Sequence, residues 1–177
     1  MKNVFLLTFL TLALVFSTEA TAQKFGGLDK SPADIAAYPS SYRVSEKAVR
    51  VIYSRPQLKG RSLSELAPAG KVWRTGANEA PEITFYKDAT IGGKSVKAGT
   101  YALFTIPGES EWTVILNSNL NQWGAYSYDS AADVARVTAK ASTDSESLEA
   151  FSIAFDEAGS NMVMGWGTTR VSLAMSL

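Results

Sequence analysis

The segment Thr100-Tyr101-Ala102-Leu103-Phe104-Thr105-Ile106-Pro107-Gly108-Glu109-Ser110-Glu111-Trp112-Thr113-Val114-Ile115-Leu116 holds two runs of aromatic and aliphatic residues on either side of a Pro-Gly turn. Each run has strand length. The proline cannot continue a ladder and the glycine tolerates a sharp turn, so the pair reads as an antiparallel hairpin.

On both sides of this hairpin the hydrophobic period stays at two. In Ala48-Val49-Arg50-Val51-Ile52-Tyr53, the residues Val49, Val51 and Tyr53 share one face and Arg50 lies on the other, the pattern of a half-buried strand. Glu82-Ile83-Thr84-Phe85-Tyr86-Lys87 alternates likewise, and Ile91-Gly92-Gly93-Lys94 is a tight-turn signal. Further strands are expected at Val134–Lys140, Glu149–Asp156, Met162–Trp166 and Arg170–Met175, with a hairpin loop at Asp156–Ser160. No segment carries three turns of helical stripe. Ser62–Leu66 and Ser130–Val134 each have room for one helical turn. Short strands at this spacing predict an all-β fold, an antiparallel β-sandwich of jelly-roll-like or flattened-barrel form. Crossover helices for a parallel sheet have no room in the gaps.

The N-terminus reads differently. Lys2 precedes an apolar run from Val4 to Phe16, and Ala20-Thr21-Ala22 has the form of a cleavage site. This is the pattern of a secretory signal over residues 1–22, which predicts an exported, periplasmic or extracellular protein. The run is shorter than the roughly 20 residues of a membrane span. Residues 23–41 contain Gly26, Gly27, Pro32 and Pro39 and are expected to form an extended arm on the surface. Ser31-Pro32-Ala33-Asp34 has the residues to cap one helical turn within it. Residues 42–177 then form a single domain.

Composition narrows the function classes. Basic and acidic residues number 17 each, so the net charge is zero and nucleic acid is not an expected partner. There is no cysteine, so the fold must be held by packing, for which 46% hydrophobic residues suffice. There is no histidine either. Ser-His and Cys-His nucleophile systems and the usual zinc sites are therefore excluded. Asp129 with Asp133, and Asp156 with Glu157, read as solvated turns. Gly165-Trp166-Gly167 lacks the helix start of a phosphate loop, and no acidic loop of EF-hand spacing is present. No cofactor and no metal site is expected.

Two segments are too polar for a turn or a core to explain. They are Tyr53-Ser54-Arg55-Pro56-Gln57-Leu58-Lys59-Gly60-Arg61 and Lys71-Val72-Trp73-Arg74-Thr75-Gly76-Ala77-Asn78-Glu79-Ala80. With Leu28-Asp29-Lys30-Ser31-Pro32, Gly99-Thr100-Tyr101, Ile106-Pro107, Glu111-Trp112-Thr113-Val114-Ile115 and Gln122-Trp123-Gly124-Ala125-Tyr126, they resemble the signature of the DUF2911 family. The resemblance spans essentially the whole chain after residue 22. It departs from the family pattern at Ser62-Leu63-Ser64-Glu65, where a reshaped loop is expected. It implies a secreted setting in Bacteroidetes-like bacteria and a β fold, and it implies no activity.

The residues themselves carry the functional reading. Arg55 and Arg74 present forked donors that pair with an anion. Trp73 offers a flat apolar face, and Asn78 and Glu79 bind hydroxyls. Trp123 and Tyr126 sit in a loop context and are candidate aromatic walls, while Trp112 and Trp166 belong to the core. The leading expectation is a small-ligand or glycan-binding module for a carboxylate or carbohydrate, built from Arg55, Trp73, Arg74, Asn78, Glu79, Trp123 and Tyr126. The competing reading is structural: the arginines pair with Glu79, Trp73 plugs the core, and the protein is an envelope interaction module with a protein partner. A hydrolase using Glu79 as base and Arg74 as stabiliser is the weakest of the three, because a lone glutamate lacks its second group.

Overall fold

The computed structural model describes residues 23–177; the expected signal segment lies outside them. The described chain forms nine strands: β1 (Ala33–Tyr38), β2 (Val49–Ser54), β3 (Glu82–Phe85), β4 (Ala89–Ile91), β5 (Lys94–Val96), β6 (Gly99–Ile106), β7 (Glu111–Asn117), β8 (Asp133–Phe155) and β9 (Asn161–Ser176). One four-residue helix, α1 (Leu63–Leu66), and a 3-10 turn at Ser130–Ala132 complete it. Ser62 starts α1 with a capping box, its hydroxyl accepting from Glu65 N–H while the Glu65 carboxylate accepts from Ser62 N–H. Among the described residues no helix is long and apolar enough to cross a membrane.

The protein is all-β, as its periodicity predicts. All nine strands belong to one antiparallel sheet in the order β1-β2-β3-β6-β7-β8-β9-β4-β5, which does not close into a barrel. The sheet curls around one core. Val49, Ile83, Val114, Val137, Phe151 and Leu173, from five strands, all belong to the same buried cluster.

Two long strands make the curl. β8 pairs with β7 through residues 133–140 and with β9 through residues 140–155. The sequence suggests two strands in each of these segments because the apolar alternation lapses at residues 142–147, which are exposed. There the β8–β9 pairing is interrupted: it passes from Thr143↔Thr169 to Leu148↔Gly167, so residues 144–147 bulge out unpaired, and the register shifts again before Ser152. On β9 the buried face changes parity, from Met162, Met164 and Trp166 to Val171, Leu173 and Met175. The switch falls at Gly167, whose φ of 55° a side chain would disfavour.

One local expectation is overturned. Ser31–Asp34 forms no helical turn, because β1 begins at Ala33 and pairs along its six residues with β2, from Ala33↔Ser54 to Tyr38↔Val49. A full antiparallel register outweighs a one-turn capping signal. The surface arm is thus an exposed run up to Pro32 followed by an edge strand.

β6 and β7 are buried on both faces. Leu103, Val114 and Leu116 face the main core, while Ala102, Phe104 and Ile115 form a second cluster with Ala80. That second cluster is roofed by Val72, Leu120, Ala125 and Tyr128, with the Phe104 and Tyr128 rings 5.1 Å apart.

At the centre of the main core sits Trp73, 7% exposed. Its ring stacks on Trp166 at 5.6 Å and meets Trp112 and Phe151 edge-on at 6.1 and 5.3 Å. Truncating a buried tryptophan in such a site costs about 3–5 kcal/mol. Trp73→Ala is expected to lose that much in urea unfolding; a loss under about 1 kcal/mol contradicts the packing role.

Candidate functional site

Trp73 pairs with Thr105 of β6 through both backbone groups, N–H to O at 2.7 Å and the reverse at 2.9 Å. Eight residues later, the Pro81 carbonyl accepts from Leu103 N–H at 2.8 Å. Two neighbouring positions on one face of β6 therefore anchor the two ends of a loop, and residues 74–80 are forced out of the sheet. The loop is held tightly. Thr75 is fully buried at φ 56°, its hydroxyl 3.1 Å from that of Thr105. A β-branched residue in the left-handed region is a strained conformer that only surrounding contacts sustain. Asn78, at φ 61°, is a second left-handed residue.

The loop zips to the segment after β7. Ala80 N–H donates to Gln122 O at 2.8 Å and Gly124 N–H to Asn78 O at 2.9 Å, so Glu79 lies opposite Trp123. Gly124 takes φ 68°, which glycine adopts without strain, and the Tyr126 ring rests over it, 2.7 Å from where a Cβ would stand. The far end of the segment is fixed by a satisfied polar network. Tyr128 Oη donates to Asp133 Oδ2 at 2.6 Å, Arg136 Nη1 donates to both at 2.8 Å, and buried Asn117 donates to Asp133 Oδ1 at 2.8 Å. Burial first, and then the Asp133 carboxylate, push the Tyr128 hydroxyl up to about 12.

Five of the seven candidate residues fall in this neighbourhood. Trp123 and Tyr126, on either side of Gly124 and Ala125, are 64% and 84% exposed, two rings that we term the aromatic shelf. Glu79 is exposed beside them. Asp29 of the N-terminal run accepts from Ser31 N–H at 2.7 Å, and its carboxyl is kept below its ordinary value by that bond first and by the nearby Asn78 side chain next. Arg74 reaches beneath Gly124, its Nη1 3.6 Å from where a Cβ would stand, and its Nε is buried with no hydrogen-bond partner among the described residues. Arg74 forms no ion pair with Glu79 or any other described acid.

The other two candidates lie elsewhere. Trp73 is in the core and offers no face to a ligand. Arg55 is a staple: Nε donates to Phe151 O at 3.0 Å, Nη1 to Asp34 at 3.0 Å and Nη2 to Ser152 Oγ at 2.7 Å, tying β1 and the end of β2 to β8. Arg55, Arg74 and Glu79 thus share no common concavity.

A hollow of about 200 Å³ adjoins the shelf. Tyr53, Ser54, Glu79, Glu82 and Asn121 are among its lining residues. Glu82 and Asn121 escape a reading of the sequence. Glu82 sits at a regular strand position, and only the zipped loops bring Asn121, at φ 56°, against it, with Asn121 N–H 3.3 Å from Glu82 Oε1. Two carboxylates in one hollow repel an anion and accept from hydroxyls or amines. Among the described residues no three acidic, histidine or cysteine side chains come close enough to hold a metal ion.

Removing the exposed ring should leave the fold intact, whereas removing the staple should not. Trp123→Ala is expected to keep unfolding free energy within about 0.5 kcal/mol of wild type. Arg55→Ala is expected to lose about 1–3 kcal/mol, since it takes the donor from the part-buried Phe151 carbonyl and from the Ser152 hydroxyl, the half-exposed ion pair adding little. Chemical denaturation of the two variants side by side checks both values.

Neither the curated proteins nor the solved structures contain a match to this chain. A family model described as "Protein of unknown function (DUF2911)" matches residues 31–175, from just before β1 to the end of β9. The chain therefore belongs to the DUF2911 family.

Proposed function

We propose that this protein is an exported carbohydrate-binding module whose site is the Trp123–Tyr126 shelf and the adjoining Glu79–Glu82–Asn121 hollow. The observation that carries the reading is an exposed indole, Trp123, fixed opposite an exposed carboxylate, Glu79, by two backbone hydrogen bonds. Aromatic shelves stack on the apolar face of a sugar ring, and carboxylates and amides at the rim accept and donate to its hydroxyls. Of the two ligand classes expected from the sequence, this surface favours the neutral polyol over the small carboxylate, because its hollow is lined by two acids and no cation. The export half of the proposal rests on the signal-like residues 1–22.

Binding fits better than cleavage. Glu79 stands exposed, and a Glu82 oxygen already accepts from Asn121, so neither is set as a sequestered proton donor. The 84% exposure of Tyr126 also suits an envelope protein partner docking on the same shelf.

Trp123 makes a direct test available, because the other three tryptophans, Trp73, Trp112 and Trp166, are buried. Titration with a panel of oligosaccharides should change the tryptophan emission saturably for at least one glycan. A glycan at about a hundred times its dissociation constant should also stabilise the fold by about 2.7 kcal/mol. Trp123→Ala should abolish the emission change and weaken binding about tenfold or more, while melting as wild type does. A panel that leaves emission and melting unmoved contradicts the proposal. Cross-linking of a protein at position 123 in envelope extracts would then favour the docking reading.

A further inference from the structure

Arg50 lies towards the opposite end of β2 from Ser54, which borders the glycan hollow. It opens on a separate cavity of about 410 Å³ between β1, the loop after it and the last residues of β8. Its apolar lining residues include the exposed Ile35, with Ile153 and Phe155 where the main core meets the cavity; its polar ones include Tyr42, Lys47 and Arg50. Among the described residues no aspartate or glutamate lines it: of the acids adjacent in the chain to its lining, Asp34 pairs with Arg55, Asp156 accepts from Asn161, and Glu46 borders the neighbouring hollow with Tyr38 and Tyr86.

The two cations are held in place without being neutralised. Lys47 Nζ donates to the carbonyls of Pro39 and Ser41 at 2.5 and 2.8 Å, which fixes the ammonium and leaves one of its three N–H groups. Arg50 Nε is buried with no hydrogen-bond partner among the described residues. Neither side chain forms an ion pair with a described acid. Arg50 borders the cavity without an ion pair, so its terminal guanidinium nitrogens, and not the enclosed Nε, are the groups that meet an acceptor there, and an acceptor that carries negative charge makes the strongest match.

The geometry points to a second binding site here, for a small amphipathic carboxylate: its head between Arg50 and Lys47, its hydrocarbon body against Ile35, Ile153 and Phe155. The cavity lies in the lower part of the size range of small-molecule sites. Charge selects the anion at one end and the apolar lining selects the tail at the other, so neither a free inorganic ion nor a neutral alkane satisfies both. The site shares no lining residue with the shelf and its hollow, and its ligand is of the opposite electrostatic class. It stands whether or not the glycan reading does.

Sodium octanoate is the probe, titrated into the purified protein at constant ionic strength and followed by calorimetry and by isoleucine methyl NMR. One saturable site is expected, with the largest shifts at Ile35 and Ile153. Arg50→Gln should weaken it about tenfold or more, as expected for loss of a charge-assisted pair. Arg50→Lys should stay within about threefold, 1-octanol should not saturate the site, and Trp123→Ala should bind octanoate as wild type does. Absence of saturation, shifts centred elsewhere, undiminished binding in a folded Arg50→Gln, or equal binding of 1-octanol overturns the inference. Should Arg50→Gln fail to fold, Lys47→Gln and the wild-type shift map decide in the same way.

Discussion

The fold and its candidate site both depend on the burial of Trp73. Its backbone is hydrogen-bonded into β6 and its ring is enclosed by Trp112, Phe151 and Trp166, from β7, β8 and β9. Each such ring pair adds about 0.5–1.5 kcal/mol beyond the area it buries. A chain without cysteine needs a centre of this kind, since nothing covalent joins its strands. The packing also fixes a boundary. Trp73 and Pro81 occupy nearby positions along β6, so the seven residues between them have no place in the ladder and must form a loop. The site is thus a by-product of where the core ends.

Holding that loop rigid requires strain to be offset. Thr75, Asn78, Asn121 and Gly124 all take positive φ within two facing segments. Buried Thr75 is sustained by the Thr105 hydroxyl, and the two segments are joined by backbone bonds at Ala80 and Gly124. The other flank is fixed by Asn117, Tyr128, Asp133 and Arg136, a cluster in which each polar group has a partner. Rigid support on both sides keeps the rings of Trp123 and Tyr126 exposed instead of collapsing onto the sheet. A pre-positioned aromatic surface loses little conformational freedom on binding.

Much of this is legible in the residues. Period-two alternation marks β2 and β3, continuous apolar runs mark β6 and β7, and the turns at Gly92-Gly93 and Pro107-Gly108 place two hairpins. Local signals fail where long-range pairing competes. Ser31-Pro32 reads as a helix start but stands where β1 pairs with β2. The lapse of apolar residues at positions 142–147 reads as a break between strands; the pairing is indeed interrupted there, from Thr143↔Thr169 to Leu148↔Gly167, but β8 keeps its extended course across it. The arginines show the same limit. Arg55, beside a proline in a distinctive motif, reads as a ligand group but is consumed by β1 and β8. Arg50, read as the outward residue of an ordinary strand, is left, like Arg74, with a buried nitrogen that has no hydrogen-bond partner among the described residues. Which cation finds a partner is decided by strands more than 90 residues away in the chain, as the Arg55–Ser152 bond shows. Spacing alone cannot reveal it.

The central claim is that one buried ring positions the loop that bears the site. Native-state hydrogen exchange of the Ala80 and Gly124 amides, in wild type and Trp73→Phe, tests it most directly. In wild type both amides should be protected. In Trp73→Phe they should lose more protection than the amides of the β6–β7 hairpin, because the loop is released before the sheet. Fast exchange at Ala80 and Gly124 in wild type, or a uniform loss of protection across loop and sheet alike, would contradict the account.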